Sequence, residues 1–135
     1  KVTESEANPV YLGSEENSNK RTLNQYIAPG LVETCQLMLG YTDVKSGSAW
    51  NTMPCHLHPL RMEVYFYFEL PKDQAVCHIM GQPDETRNLW LDNEEAVISP
   101  SWSIHNAAGT ASYSFVWGMA GSDSEMDPVA ITDMR

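Results

Sequence analysis

Three of the four histidines in the chain, with one glutamate, carry a spacing that suits a bound cation: His56, His58, Glu63 and His105. His56 and His58 stand two apart in Cys55-His56-Leu57-His58. On an extended strand such residues share a face, so both imidazoles project the same way. Pro59 turns the chain, and Glu63 opens the next run. A hairpin at this turn would return the carboxylate beside the two imidazoles. His105 follows a turn at Pro100 and is expected to close the site from across a barrel. Neutral imidazole and carboxylate suit a borderline divalent ion such as zinc, manganese, iron or nickel. Four protein ligands leave room for water or substrate, which a catalytic metal needs. His78 has no partner at ligand spacing and reads as a structural residue or a support for a ligand.

The elements that must position these groups are short. Runs near residues 34–42, 50–58, 62–70, 75–80, 85–91, 96–99, 103–106 and 112–120 alternate or are apolar, and turn residues such as Pro71, Gly81, Pro83 and Gly109 separate them. This regular punctuation predicts an all-β sandwich or barrel with little helix. The run from Met62 to Leu70 puts Val64, Phe66, Phe68 and Leu70 on one face and Glu63, Tyr65, Tyr67 and Glu69 on the other. The apolar face is expected to pack against a second sheet. The polar and aromatic face would line a wet cavity or meet solvent. Residues 1–30 read as a polar linker and arm, with a short strand possible at residues 22–27, and residues 31–135 as the barrel domain.

The chain has 135 residues and a net charge of −10, which fits one domain with a packed core. The acid excess argues against nucleic acid or an anionic membrane as partner. An anionic substrate would need a metal or a focused arginine. The three cysteines, Cys35, Cys55 and Cys77, form no C-x-x-C pair, which suits a reducing compartment. The chain opens on Lys1, and a processed product or a piece of something longer is expected.

The ligand set resembles the two metal motifs of the cupin superfamily. Gly47, His56, His58 and Glu63 fill the first, with Leu70 where a closing glycine is usual. Pro100-Ser101-Trp102-Ser103-Ile104-His105 fills the second, with Trp102 in place of glycine. The stretches Asn51-Thr52-Met53-Pro54-Cys55-His56, Arg61-Met62-Glu63-Val64-Tyr65-Phe66, Met80-Gly81-Gln82-Pro83 and Trp117-Gly118-Met119 are similar to the 5-keto-4-deoxyuronate isomerase family within it. The likeness runs from about residue 10 to residue 135. It implies a double-stranded β-helix, or jelly roll, with Zn²⁺ held by His56, His58, Glu63 and His105. It also implies interconversion of 5-dehydro-4-deoxy-D-glucuronate and 3-deoxy-D-glycero-2,5-hexodiulosonate in uronate-polymer breakdown. A cytoplasmic, usually hexameric homo-oligomer is implied, with this chain as the C-terminal, metal-bearing half.

Such an isomerisation passes through an enediolate and needs a proton shuttle. Glu85, Tyr65 and Tyr67 are the candidates, since each could face the cavity. Arg61 or Arg87 could pair with the substrate carboxylate, and Trp102 could flank the sugar chain. Their plainer alternatives are surface charge and packing. An iron-dependent cupin dioxygenase and a non-catalytic sugar- or metal-binding module are the competing functions.

Overall fold

The computed structural model describes residues 1–122, 127–129 and 133–134; residues 123–126, 130–132 and 135 of the expected barrel domain lie outside the described part. The strands are β1 (Asn8–Leu12), β2 (Arg21–Ile27), β3 (Leu37–Val44), β4 (Trp50–Leu57), β5 (Arg61–Phe68), β6 (Val76–Gln82), β7 (Glu85–Leu91), β8 (Ala96–Ser99), β9 (Ile104–Gly109), β10 (Ser114–Gly121) and β11 (Asp127–Pro128). The helical content of the described residues is 3-10 only, at Glu4–Glu6 and Asp133. None of their helices is long and apolar enough to cross a membrane.

The strands form two antiparallel sheets. One has the order β1-β2-β3-β10-β5-β8, and the other β11-β4-β9-β6-β7. From β3 to β11 the chain crosses between the sheets at every connection except the β6–β7 hairpin, which gives the double-stranded β-helix expected from the sequence. Between the sheets lies a core rich in aromatic residues. Tyr67, Tyr113 and Phe115 pack with ring centroids 5.7 to 6.1 Å apart, and Val44, Val76 and Val97 fill around them. Ring pairs of this kind add about 0.5–1.5 kcal/mol beyond area burial.

Two expectations need correction. The strand held possible at residues 22–27 is present as Arg21–Ile27, paired with β3, but the stretch before it is not simply a linker, since Asn8–Leu12 pairs with β2 in turn. Its polar composition reflects an edge position, where one strand edge and one face meet water. The turn between these strands is also anchored. The Lys20 amide donates to Ser48 Oγ at 3.0 Å, and Ala49 and Trp50 amides donate to the Ser18 carbonyl.

The second correction concerns β5. Its alternation is present, but the faces are reversed relative to expected packing. Glu63, Tyr65 and Tyr67 point inward and are buried, whereas Phe66 is exposed and Val64 and Phe68 are half-buried on the outer face. Tyrosine rings supply apolar bulk to the interior, and their hydroxyls find partners there. Tyr67 shares a 2.7 Å hydrogen bond with Nδ1 of the buried His78. Close packing extends across β3 and β10, where a Cβ on Gly40 would stand 2.3 Å from the Trp117 ring.

Replacing Tyr67 with phenylalanine strands the buried His78 Nδ1. The expected loss is about 1–3 kcal/mol in urea denaturation, with the far-ultraviolet β spectrum unchanged.

Candidate metal centre

Register places the ligands. His56 and His105 are direct partners across the β4–β9 ladder, so they belong to the same sheet. Glu63 reaches them from β5 in the opposite sheet. The sequence expectation is thereby inverted: no β4–β5 hairpin forms, and the glutamate, not His105, closes the site from across the barrel.

The β4–β9 pairing breaks between Asn51 and His56, where residues 52–55 bulge out of register. A bulge re-aims the side chains that follow it. Beyond this one, His56 turns inward, and its Nδ1–H donates to the Pro54 carbonyl at 2.8 Å. That bond assigns the tautomer and leaves the Nε2 lone pair facing the centre. His105 is held by a bond to the Ser103 backbone. Its Nε2 lies 3.1 Å from His56 Nε2 and 3.0 Å from Glu63 Oε2. His58 Nε2 lies 3.8 Å from the same carboxylate oxygen. The donor atoms of His56, His58 and His105 all fall within 4.8 Å of one another.

These distances suit a shared cation. Ligands bound to zinc at its usual bond length stand about 3.3 Å apart in a tetrahedron. All four side chains are buried. Desolvation lowers the pKa of His56, and that of His105 falls further, helped by its imidazole neighbours. Both rings are therefore neutral near pH 7, with lone pairs available. Burial pushes the Glu63 carboxyl up to about 8 despite a Tyr65 hydrogen bond and the Arg61 charge. A buried carboxyl among neutral imidazoles is a group that a divalent ion would hold ionised. The donor set and its convergence thus fit a metal.

The centre opens into a cavity of about 460 Å³. One wall is the inner face of the six-stranded sheet, from Val10 and Leu12 through Arg21 and Leu23 to Glu63 and Trp117. The opposite rim is the bulge, with Asn51, Thr52, Met53 and Pro54. Asn51 Nδ2 donates to Thr52 Oγ1 at 2.7 Å, and Thr52 Oγ1 lies 3.2 Å from the Tyr65 hydroxyl. Tyr65 in turn bonds Glu63. Burial and the Glu63 charge raise its pKa well above the usual value, so its phenol stays protonated.

The remaining expected site residues divide. Tyr65 and the buried Arg61 line the cavity. Tyr67 faces inward but lies in the apolar core, bonded to His78. Glu85 and Arg87 are exposed on β7, the edge strand of the five-stranded sheet, and Trp102 is 55% exposed on the turn before β9. None of these three lines the cavity. Arg87 pairs with Met80, and Met80 with His105, so it stands two strands away from the ligand. Arg21 and Asn51 do line the cavity. The alternation of residues 21–27 is the signal that could have pointed to Arg21. The bulge that carries Asn51 has no comparable periodicity.

Comparison with known proteins gives this geometry a lineage. The KduI/IolB family matches residues 1–134. The chain belongs to this family. A 4-deoxy-L-threo-5-hexosulose-uronate ketol-isomerase of Formosa agariphila is 56% identical over all of this chain and 49% of its own length. One from Enterobacter is 54% identical over all of this chain and 50% of its own length. The chain therefore spans about half the length of the curated relatives it matches. Among solved structures, an IolB-like protein of Salmonella typhimurium superposes with a TM-score of 0.77 at 13% identity, covering 95% of this chain and 52% of that one. KdgF from Halomonas superposes with a TM-score of 0.59 at 14% identity, covering 91% of this chain and 94% of that one. At such identities the superpositions establish a shared fold.

The pKa shifts set a pH profile for the metal-free chain. Burial depresses the His78 pKa to about 4, and those of His56 and His105 also fall. Between an unfolded imidazole value near 6.5 and that depressed value, the unfolded chain binds more protons, so stability falls as pH drops. His78 alone accounts for about 3 kcal/mol of this loss. Glu63 acts in the opposite sense: its raised pKa of about 8 lets stability rise as pH falls from there towards the unfolded carboxyl value. Urea midpoints of chelator-treated protein should decline on the acid side of about pH 6.5, and a His78→Gln variant should decline less.

Proposed function

We propose that this chain is the metal-bearing part of a ketol-isomerase acting on a keto-uronate. The observation that carries the reading is the convergence of His56, His58, His105 and Glu63 at the base of a cavity that also holds the buried Arg61. The names of its relatives, at more than half identity over the whole chain, support 5-dehydro-4-deoxy-D-glucuronate as substrate and 3-deoxy-D-glycero-2,5-hexodiulosonate as product. Zn²⁺ is the proposed ion, since its preference for imidazole and carboxylate matches the donors. The same resemblance favours a role in uronate-polymer breakdown, in the cytoplasm and as a homo-oligomer.

The cavity size falls within the range of small-molecule sites. Arg61 supplies the cation that a uronate carboxylate needs, and a guanidinium can hold it in bidentate fashion. Apolar side chains such as Leu23, Met38 and Trp117 exclude water around the carbon chain. The divalent ion, when bound, supplies Lewis-acid stabilisation to the developing enediolate oxygen. Tyr65 holds a proton at its hydroxyl, bonded to Glu63 on one side and Thr52 on the other. Tyr65 lines the cavity, and its hydroxyl is the group proposed to exchange a proton with a substrate oxygen. Glu85 and Tyr67, away from the cavity, take no part in this scheme.

Two substitutions separate the roles. His105→Ala should abolish both metal retention and isomerisation while keeping the β spectrum, followed by elemental analysis and circular dichroism. Tyr65→Phe should keep its metal but lose turnover by about 10²–10⁴-fold, the range for a general acid–base group. Full activity in demonstrably metal-free protein would overturn the proposal. A chain that binds the ion yet leaves the keto-uronate unchanged would favour a non-catalytic module, a reading to which the half-length match lends weight.

A further inference from the structure

The two buried arginines of the cavity occupy different positions. Arg61 stands next to Glu63 by charge and by strand. Arg21, at the start of β2, spans a gap between the sheets. Its Nη1 donates to the Asn19 carbonyl at 2.8 Å, and its Nη2 donates to the Met53 carbonyl at 2.8 Å. Met53 lies in the bulge of β4, where the strand is out of register with β9. The next carbonyl along, that of Pro54, accepts the Nδ1–H of His56.

A short physical path thus leads from the guanidinium to the metal centre. We infer that Arg21 is a positioning residue for that centre, fixing the bulge whose Pro54 carbonyl sets the ring of His56. Backbone carbonyls in an interrupted ladder need other donors, and a buried guanidinium supplies strong, directional ones. The anchor is firm. Asn19 takes the Ser14 amide on its side-chain oxygen at 3.0 Å, and its own amide donates to the Ser14 carbonyl at 3.2 Å. The same turn is fixed to a second segment through Lys20 and Ser48, and the guanidinium bridges it to the bulge. Lysine cannot reproduce this, because one ammonium has neither the span nor the fixed fork.

The inference rests on the cation reading of the site, and the test separates the two. Co²⁺ is titrated into metal-free wild type and into Arg21→Met, Arg21→Lys and Arg21→Ala, followed by its visible absorption. Circular dichroism and urea midpoints are recorded alongside. The expected result is an affinity loss of about 10–100-fold in Arg21→Met, the range for partners that orient a ligand. A changed Co²⁺ spectrum should accompany it, with the β spectrum retained. Arg21→Lys should fall short of wild type, and added guanidinium at non-denaturing concentration should restore part of the affinity of Arg21→Ala. Wild-type affinity and spectrum in Arg21→Met would overturn the inference while leaving the metal site intact. So would an affinity loss with an unaltered spectrum and no rescue, which marks a merely structural residue. A wild-type chain that fails to take up Co²⁺ would overturn both readings.

Discussion

A carboxyl group and three imidazoles, all buried, are held close together at the base of a cavity. Lone pairs directed at one another in a medium of low polarisability repel, and removing the glutamate from water is itself unfavourable. A divalent cation at the centre reverses both effects. The strands bring these groups together in two ways: two of them face each other across one ladder, and another comes from the opposite sheet. His56 and His105 are the facing pair, as register partners, and Glu63 is the other.

The irregular part of β4 is as important as the regular part. A strand in perfect register would carry residues 52–55 along the ladder, with their carbonyls bonded to β9. The bulge frees them for other duties: the Pro54 carbonyl orients an imidazole, the Met53 carbonyl receives a guanidinium, and Thr52 meets the Tyr65 hydroxyl. Polar contacts at the rim and the inner wall are thus two ends of one network, Asn51–Thr52–Tyr65–Glu63–His105. Such a network fixes the carboxylate oxygen in place before any ion arrives, which lowers the reorganisation needed on binding.

Much of this was legible in the chain alone, for identifiable reasons. The i, i+2 histidines and the period-2 pattern of β5 are local properties, and strand geometry translates them directly into shared faces. Which face turns inward is not local. Val64 and Phe66 are the more apolar pair, yet the interior takes Glu63, Tyr65 and Tyr67, whose rings pack into the core and whose polar atoms find partners there. Sheet membership was also hidden. A proline turn between two strands looks like a hairpin, whereas in a jelly roll the same turn carries the chain from one sheet to the other. Glu85 and Arg87 lie on a strand of the expected extent, but its place at the sheet edge depends on long-range pairing. Of the first two strands only β1, the outermost of its sheet, escaped notice, because its short run lies within a polar stretch.

The hairpin of β1 and β2 has a separate significance. It supplies Val10, Leu12 and Leu23 to the cavity wall but none of the four ligands. Apart from Arg21, the hairpin thus shapes the cavity wall, while the converging side chains come from β4, β5 and β9 and the residue after β4. Substitutions in the hairpin at positions other than Arg21 can therefore enlarge, narrow or re-shape the mouth of the cavity without touching the groups that converge at its base.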